Sequence, residues 1–295
     1  MKSRIEGIIH DLSRPENLYG QPKALAKLEK TISSLKKKYA EKQDEANASL
    51  MWCLEGTVVI LSKYFEAFRL IKTGNFYDGW CALEQAEITL IGVNRHLDPK
   101  LFDKLRLDEI SSKIEQWQTL FPYKLFFSPE LVAKEKKCSI CGKPMGIRNR
   151  CEHIVGELYG GEVCHRIVTK VEFVGVGLVE NPVQKYSVPF LDGDGGEKRD
   201  HYDYTVVGYA AKAVANPFIP WSVHKTKVLH PHALYSDCLP DDPCPCECEE
   251  KLSYKDCCLK REGVIRPHLQ FHVTGEFPKG LPPVMFSSDL RSRMR

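Results

Sequence analysis

Long hydrophobic runs are missing from this chain of 295 residues. The longest, Gly56-Thr57-Val58-Val59-Ile60-Leu61, is stopped by Ser62 and Lys63, far short of the roughly 20 apolar residues that cross a bilayer. No membrane span or membrane partner is therefore expected. Met1 to Glu6 also lacks a hydrophobic signal region, and this reading places the chain in the cytoplasm. A large charge of one sign is lacking as well: 42 Lys+Arg stand against 39 Asp+Glu, a formal net charge of +3. With 20 glycines, 18 prolines and 43% hydrophobic residues, collagen-like repeats and wholesale disorder are excluded. A Walker loop, a serine elbow and a kinase signature are all absent, so no motif names an enzyme class. Gly175-Val176-Gly177 lacks the third glycine of a dinucleotide fingerprint. Asp192-Gly193-Asp194-Gly195 opens like a calcium loop but meets Asp203, not glutamate, at the twelfth position, and reads as a hairpin turn.

What the chain does have is cysteine, 12 in all. Cytoplasmic thiols stay reduced, so clustered cysteines there point to metal more than to disulfides. Nine of them fall within residues 138–164 and 244–258, while Cys53, Cys81 and Cys238 stand alone. Cys53 and Cys81 lie in apolar helical segments and read as small core residues.

Hydrophobic periodicity divides the chain. Residues 22–121 carry helical stripes: Leu25, Leu28, Ile32, Leu35 and Tyr39 after Gln21-Pro22, then Leu50, Leu54, Val58, Leu61, Phe65 and Phe68 up to Gly74-Asn75. A third helix is expected from Tyr77 to His96, and a fourth, opened by Asp98-Pro99, continues to Leu120. Short connections predict an antiparallel helical bundle or hairpins. Beyond Phe121-Pro122, β-branched residues and turn signals take over, with strands expected at Val168–Val179, Gln184–Phe190 and Tyr202–Tyr209. The fold class is therefore α+β: a helical N-terminal domain over 1–125, a β-rich zinc-binding domain over 126–236, and a small C-terminal zinc module over 237–295.

The first cluster holds Cys138-x-x-Cys141-Gly142, then Cys151-Glu152-His153, then Cys164-His165. A Cys-x-x-Cys turn faces two thiolates at one ion, and tetrahedral zinc needs two further donors. The preferred set is Cys138, Cys141, Cys151 and Cys164, with His153 competing for the third position. So many donors favour full coordination over an open catalytic position. Glu152-His153-Ile154 and Gly160-Gly161 after Cys138-x-x-Cys141 resemble the start of an HNH nuclease, which would make His153 the water-activating base beside a divalent ion. That motif's later asparagine and second Cys-x-x-Cys are absent, and Cys164-His165 runs into Arg166-Ile167-Val168 instead. Cys151, His153, Gly156, Tyr159, Gly161 and Cys164 also resemble zinc-knuckle segments of some phage and bacterial proteins.

The second cluster is Cys244-Pro245-Cys246-Glu247-Cys248 followed by Cys257-Cys258, with Tyr254 and Lys255 between. This resembles the SEC-C motif, the zinc-binding tail of the translocase ATPase SecA and of many bacterial accessory proteins. Cys246-x-Cys248 fits that family's spacing and Cys244-Pro245-Cys246 fits its flanking sequence; both registers share Cys257 and Cys258. The resemblance implies zinc and a docking role toward protein or ribonucleoprotein partners. His224, His230 and His232 read as surface or core residues.

Two zinc sites are thus expected, bringing the formal charge from +3 to about −1 once the thiols ionise. Nucleic-acid contact would rest on residues 134–170, where eight basic residues face four acidic ones. The functional expectation is a non-catalytic zinc adaptor, with a metal-dependent nuclease acting through His153 as the alternative; the sequence leaves the oligomeric state open.

Overall fold

The computed structural model describes residues 2–146, 151–192, 198–246 and 252–273. The chain divides into two compact units, Met1–Ala211 and Lys212–Arg295. It is an α+β protein, helical in its N-terminal part, with its cysteine clusters in the C-terminal half.

The first unit begins with α1 (Lys2–Leu12), which the periodicity reading did not anticipate; Ile8 and Leu12 are its only buried apolar anchors. Then follow α2 (Pro22–Glu41), α3 (Glu45–Lys72) and α4 (Phe76–His96). Pro22 opens α2, where its missing N–H removes no helical bond. Asp44 caps α3 by accepting from the Asn47 amide at 3.2 Å. The expected stripes face inward, with Ile32, Leu54, Leu61 and Phe68 almost wholly buried around Trp117 and Tyr64. The single helix expected after Asp98 is two, α5 (Pro99–Lys104) and α6 (Leu107–Leu120). The break is at Arg106, whose φ of 57° is left-handed, and whose guanidinium pairs with Glu16 and Glu109.

The chain then leaves the bundle as an antiparallel ribbon, β1 (Phe126–Cys138) against β4 (Arg166–Val179). Between them lie the first cysteine cluster and a small hairpin, β2 (Leu158–Tyr159) with β3 (Glu162–Val163). Three register shifts interrupt the ribbon. Its base is fixed by Phe126, stacked near Trp80 in a cluster with Phe121 and Tyr123.

Two expected strands are corrected. Gln184–Phe190 forms no ladder, because α4 side chains take its backbone groups. Tyr77 Oη donates to the Tyr186 carbonyl, Trp80 Nε1 donates to the Lys185 carbonyl, and the Lys185 amide donates to Glu84 Oε1 at 2.9 Å. Tyr202–Tyr209 gives way to α7 (Thr205–Ala213). Its β-branched residues hide a helical spacing: Val207, Ala210, Ala211 and Val214 are all buried, at steps of three, one and three. A short pair, β5 (Leu191–Asp192) with β6 (Lys198–Arg199), flanks the expected hairpin turn, whose residues 193–197 lie outside the described residues.

The second unit contains another antiparallel ribbon, β7 (Trp221–His230) against β8 (Val264–Val273), paired from Trp221↔Val273 to His230↔Val264 without a register shift. The second cysteine cluster lies between its strands.

Candidate metal centres

In the first centre, β1 delivers Cys138 directly into a tight turn. The Gly142 amide donates to the Cys138 carbonyl at 2.9 Å, and the Cys138 amide donates back to Lys143. Gly142 has φ 70°, a conformation this turn needs and glycine adopts freely. The chain returns through the β2–β3 hairpin, where Cys164 donates its amide to Glu157 and accepts from Gly156. The geometry gathers Cys138, Cys141, Cys151 and His153, whose donor atoms all lie within 4.8 Å of one another. Cys164 Sγ is 3.7 Å from Cys138 Sγ. A ZnS4 tetrahedron with bonds of about 2.3 Å has edges of about 3.8 Å.

Cys138, Cys141, Cys151 and His153 therefore converge as one group, and Cys164 of the preferred set approaches it through Cys138. His153 Nδ1 is buried and has no hydrogen-bond partner among the described residues, which suits a ring nitrogen placed to bind metal. Its ring packs edge-on against Tyr159 at 4.6 Å. His165, by contrast, faces its own backbone, with Nδ1 3.2 Å from the Val163 carbonyl.

The thiols are electrostatically uneven. The Cys141 amide, with help from that of Ile140 and from neighbouring thiols, brings Cys138 down to about 6. Burial, with help from the adjacent Cys138, pushes Cys164 up to about 11. Burial raises Cys151 as well. Thiols packed this closely cannot all ionise without a cation among them, and a thiophilic dication satisfies that requirement.

This centre is braced against the bundle. Lys36 on α2 bridges Glu55 at 2.6 Å and Glu162 of the hairpin at 2.9 Å. Burial alone would lower Lys36, but the two carboxylates outweigh it and raise its pKa. The Gly160 amide donates to Glu45 Oε2, and Arg95 pairs with Glu157. Gly161, at φ 75°, leaves no room for a side chain: a Cβ there would sit 2.8 Å from Lys36 Cγ and 3.1 Å from the Ala48 carbonyl oxygen.

In the second centre, Cys244, Cys246, Cys257 and Cys258 come together within the same 4.8 Å limit. Cys246 and Cys257 sulfurs are 3.5 Å apart, and those of Cys257 and Cys258 are 3.9 Å apart. The pairing seen is that of Cys244-x-Cys246; Cys248 lies outside the described residues. The Cys244 amide donates to Leu252 and the Tyr254 amide to Asp242, which folds the loop back on itself. Burial would raise Cys244, but the amides of Cys246 and Cys258 outweigh it and bring it below the usual thiol value.

Residues that spacing alone did not flag hold this loop. Cys238 is buried in one small core with Tyr254, Cys258 and Val264. His232 is no ligand: its Nδ1 is 2.5 Å from Tyr254 Oη and its Nε2 2.8 Å from the Arg261 carbonyl oxygen. His230 similarly meets Tyr235 Oη, while His224 lies near His272 across the ribbon. The available signal was His232 recurring within the segment that leads to the cluster, together with an aromatic residue between its cysteine pairs.

All described cysteines are free thiols. No helix among the described residues is long and apolar enough to cross a membrane. Comparison with known proteins found no matching family model, no matching curated protein and no matching solved structure.

Proposed function

We propose that this protein is a zinc-binding adaptor, in which two closed structural zinc sites shape docking surfaces for a protein or ribonucleoprotein partner. The observation that carries the reading is the donor count. Each cluster brings four potential ligands within 4.8 Å of one another, enough to fill a tetrahedral shell without a reacting water. Zinc is the ion of choice because all-thiolate and thiolate-imidazole sets suit a borderline-soft dication without redox chemistry. The second centre's similarity to the SEC-C motif supports a docking role, and a reducing cytoplasm would keep its thiols available. The basic residues of 134–170 beside the first centre, Lys137 and Arg166 among them, provide a place for phosphate contacts.

A nuclease acting through His153 is the rival. It is disfavoured by the position of the His153 ring within the thiol group, where its donor atom is shared with the metal set. Metal analysis of the purified chain, paired with His153→Ala, separates the two. The adaptor reading expects two zinc ions per chain, loss of about one in the variant, and no cutting of DNA or RNA with added magnesium or manganese. Fewer than two zinc ions, or cutting that disappears in a folded, zinc-replete His153→Ala protein, would overturn it.

A further inference from the structure

From its base as far as Ala133↔Val171, the ribbon β1–β4 carries an unbroken row of apolar side chains on one face; beyond the next two register shifts, Lys136↔Val168 and Cys138↔Arg166 bring basic residues onto it. Directly paired residues share a face of a sheet, and alternate residues of a strand return to it. Near the base the pairs on this face are Phe127↔Leu178 and Pro129↔Val176. A bulge then intervenes: Glu130 faces Gly175 and Leu131 faces Phe173, leaving Val174 without a partner in the ladder. The extra residue shifts the frame, so that Leu131↔Phe173 and Ala133↔Val171 continue the apolar row. It sends Glu172 to the opposite face, where it pairs with Lys134. Without the bulge, Glu172 would interrupt the row. The register is thus set to keep charge out of this row between Phe127 and Val171, as expected of a surface that is covered.

Among the described residues of the first unit, none covers it. Phe127, Leu131, Val171, Phe173, Val176 and Leu178 are 45–63% exposed. Together they leave on the order of 600 Å² open, at the upper end of the largest patch a monomer ordinarily exposes and somewhat below the ~800 Å² each partner contributes to a standard interface. The other ribbon shows the contrast. Its corresponding apolar row, from Trp221↔Val273 to Leu229↔Ile265, contains Lys225 and Lys227, the usual guard against association.

We propose that the apolar face of β1–β4 is the docking site for a second copy of this chain, packed ribbon against ribbon about a two-fold axis. A two-fold interface uses one patch on both copies and so must complement itself. A row without charge does so, whereas a row carrying lysines would repel its own image. The area approaches what each side of a standard interface contributes, and the packing would be that of two sheets about 10 Å apart. This proposal does not depend on which metal the centres hold or on the adaptor reading.

Sedimentation velocity on the full zinc-loaded chain at micromolar concentration tests it. The wild type should run as a dimer, and Phe173→Asp should weaken self-association at least about 100-fold. Val132→Asp, on the opposite face, should leave the dimer intact. If Phe173→Asp disturbs folding, oxidative footprinting of the wild type replaces it, with Leu131 and Phe173 becoming protected as concentration rises and Val132 remaining reactive. A wild type monomeric at tens of micromolar, a dimer unaffected by a folded Phe173→Asp protein, or Leu131 and Phe173 reactive at every concentration would overturn the proposal.

Discussion

The two cysteine centres share a plan and differ in what supports them. Each lies between the strands of an antiparallel ribbon, β1 with β4 and β7 with β8, so that strand pairing brings the two ends of the metal loop together. The first loop leans on a helical bundle through Lys36, Glu45, Arg95 and the tight approach of Gly161. Among the described residues, the second is held by a small core that includes Cys238, Tyr254 and Val264 and by the bonds of His232 to Tyr254 and the Arg261 carbonyl. Two ways of stabilising a short loop are therefore present in one chain: borrowing a large neighbour's surface, or relying on the ion and a few aromatic contacts.

Removing the metal should separate the two most sharply. A structural zinc site contributes on the order of 10 kcal/mol to the fold that depends on it. Chelation should therefore abolish amide protection over 231–262 while α2–α6 keep theirs, as followed by hydrogen exchange. Retained protection around Cys257 and Cys258 would show that the second loop stands without its ion.

The next effect concerns how the first ribbon is held at its base. Lys185 is 2.5 Å from Glu87 and 3.8 Å from the buried Glu84. Burial raises Glu84 above the ordinary carboxylate range; it acts on Glu87 too, but there Lys185 and Gln118 outweigh it and hold the group low. Lys185→Met would remove that cation and raise both groups. A carboxyl raised by folding costs stability above its unfolded value, and the cost disappears below it. The variant should lose about 3 kcal/mol at neutral pH and less as pH falls toward about 4. Denaturant midpoints across that range give the slope, and a deficit independent of pH would refute this assignment.

Gly161→Ala combines a left-handed backbone with a clash against Lys36 and should cost about 2 kcal/mol, read as a lower melting temperature with unchanged zinc content in the second centre. Tyr254→Phe removes one hydrogen bond to His232 and should cost about 1 kcal/mol, detectable as faster zinc release from the second centre alone. Arg95→Ala breaks an exposed pair with Glu157 and should change stability by under about 0.5 kcal/mol; a larger loss would mean that this pair contributes more to the bracing than its exposure implies.

The features legible in the sequence were those with short range. Helical stripes such as Leu54, Val58, Leu61 and Phe65 predicted α3, because burial on one side imposes a 3.6-residue period. Cysteine spacing located both centres, because chelation demands nearby donors. What escaped was decided at long range. Gln184–Phe190 has the composition of a strand, yet the backbone of Lys185 and Tyr186 is taken by side chains a hundred residues earlier, Tyr77, Trp80 and Glu84. Arg106 breaks a helical pattern with no glycine or proline to announce it. Cys238 looked solitary because its companions lie beyond a proline-rich segment. The bulge at Val174, which sorts charge from apolar surface, is visible only once the pairing is known.

One consequence follows from the two attachments of the first ribbon. Its base meets α4 at Trp80 and the knuckle meets the same helix at Arg95, anchors about 23 Å apart along the helix. The strand between Phe126 and Cys138 rises about 40 Å. Base and hairpin are thus tied to one helix, the first by buried aromatic packing and the second by an exposed ion pair. If an ion joins the cysteines at the tip, its loss would leave the ribbon held mainly at Trp80, and metal content would set how freely the tip moves.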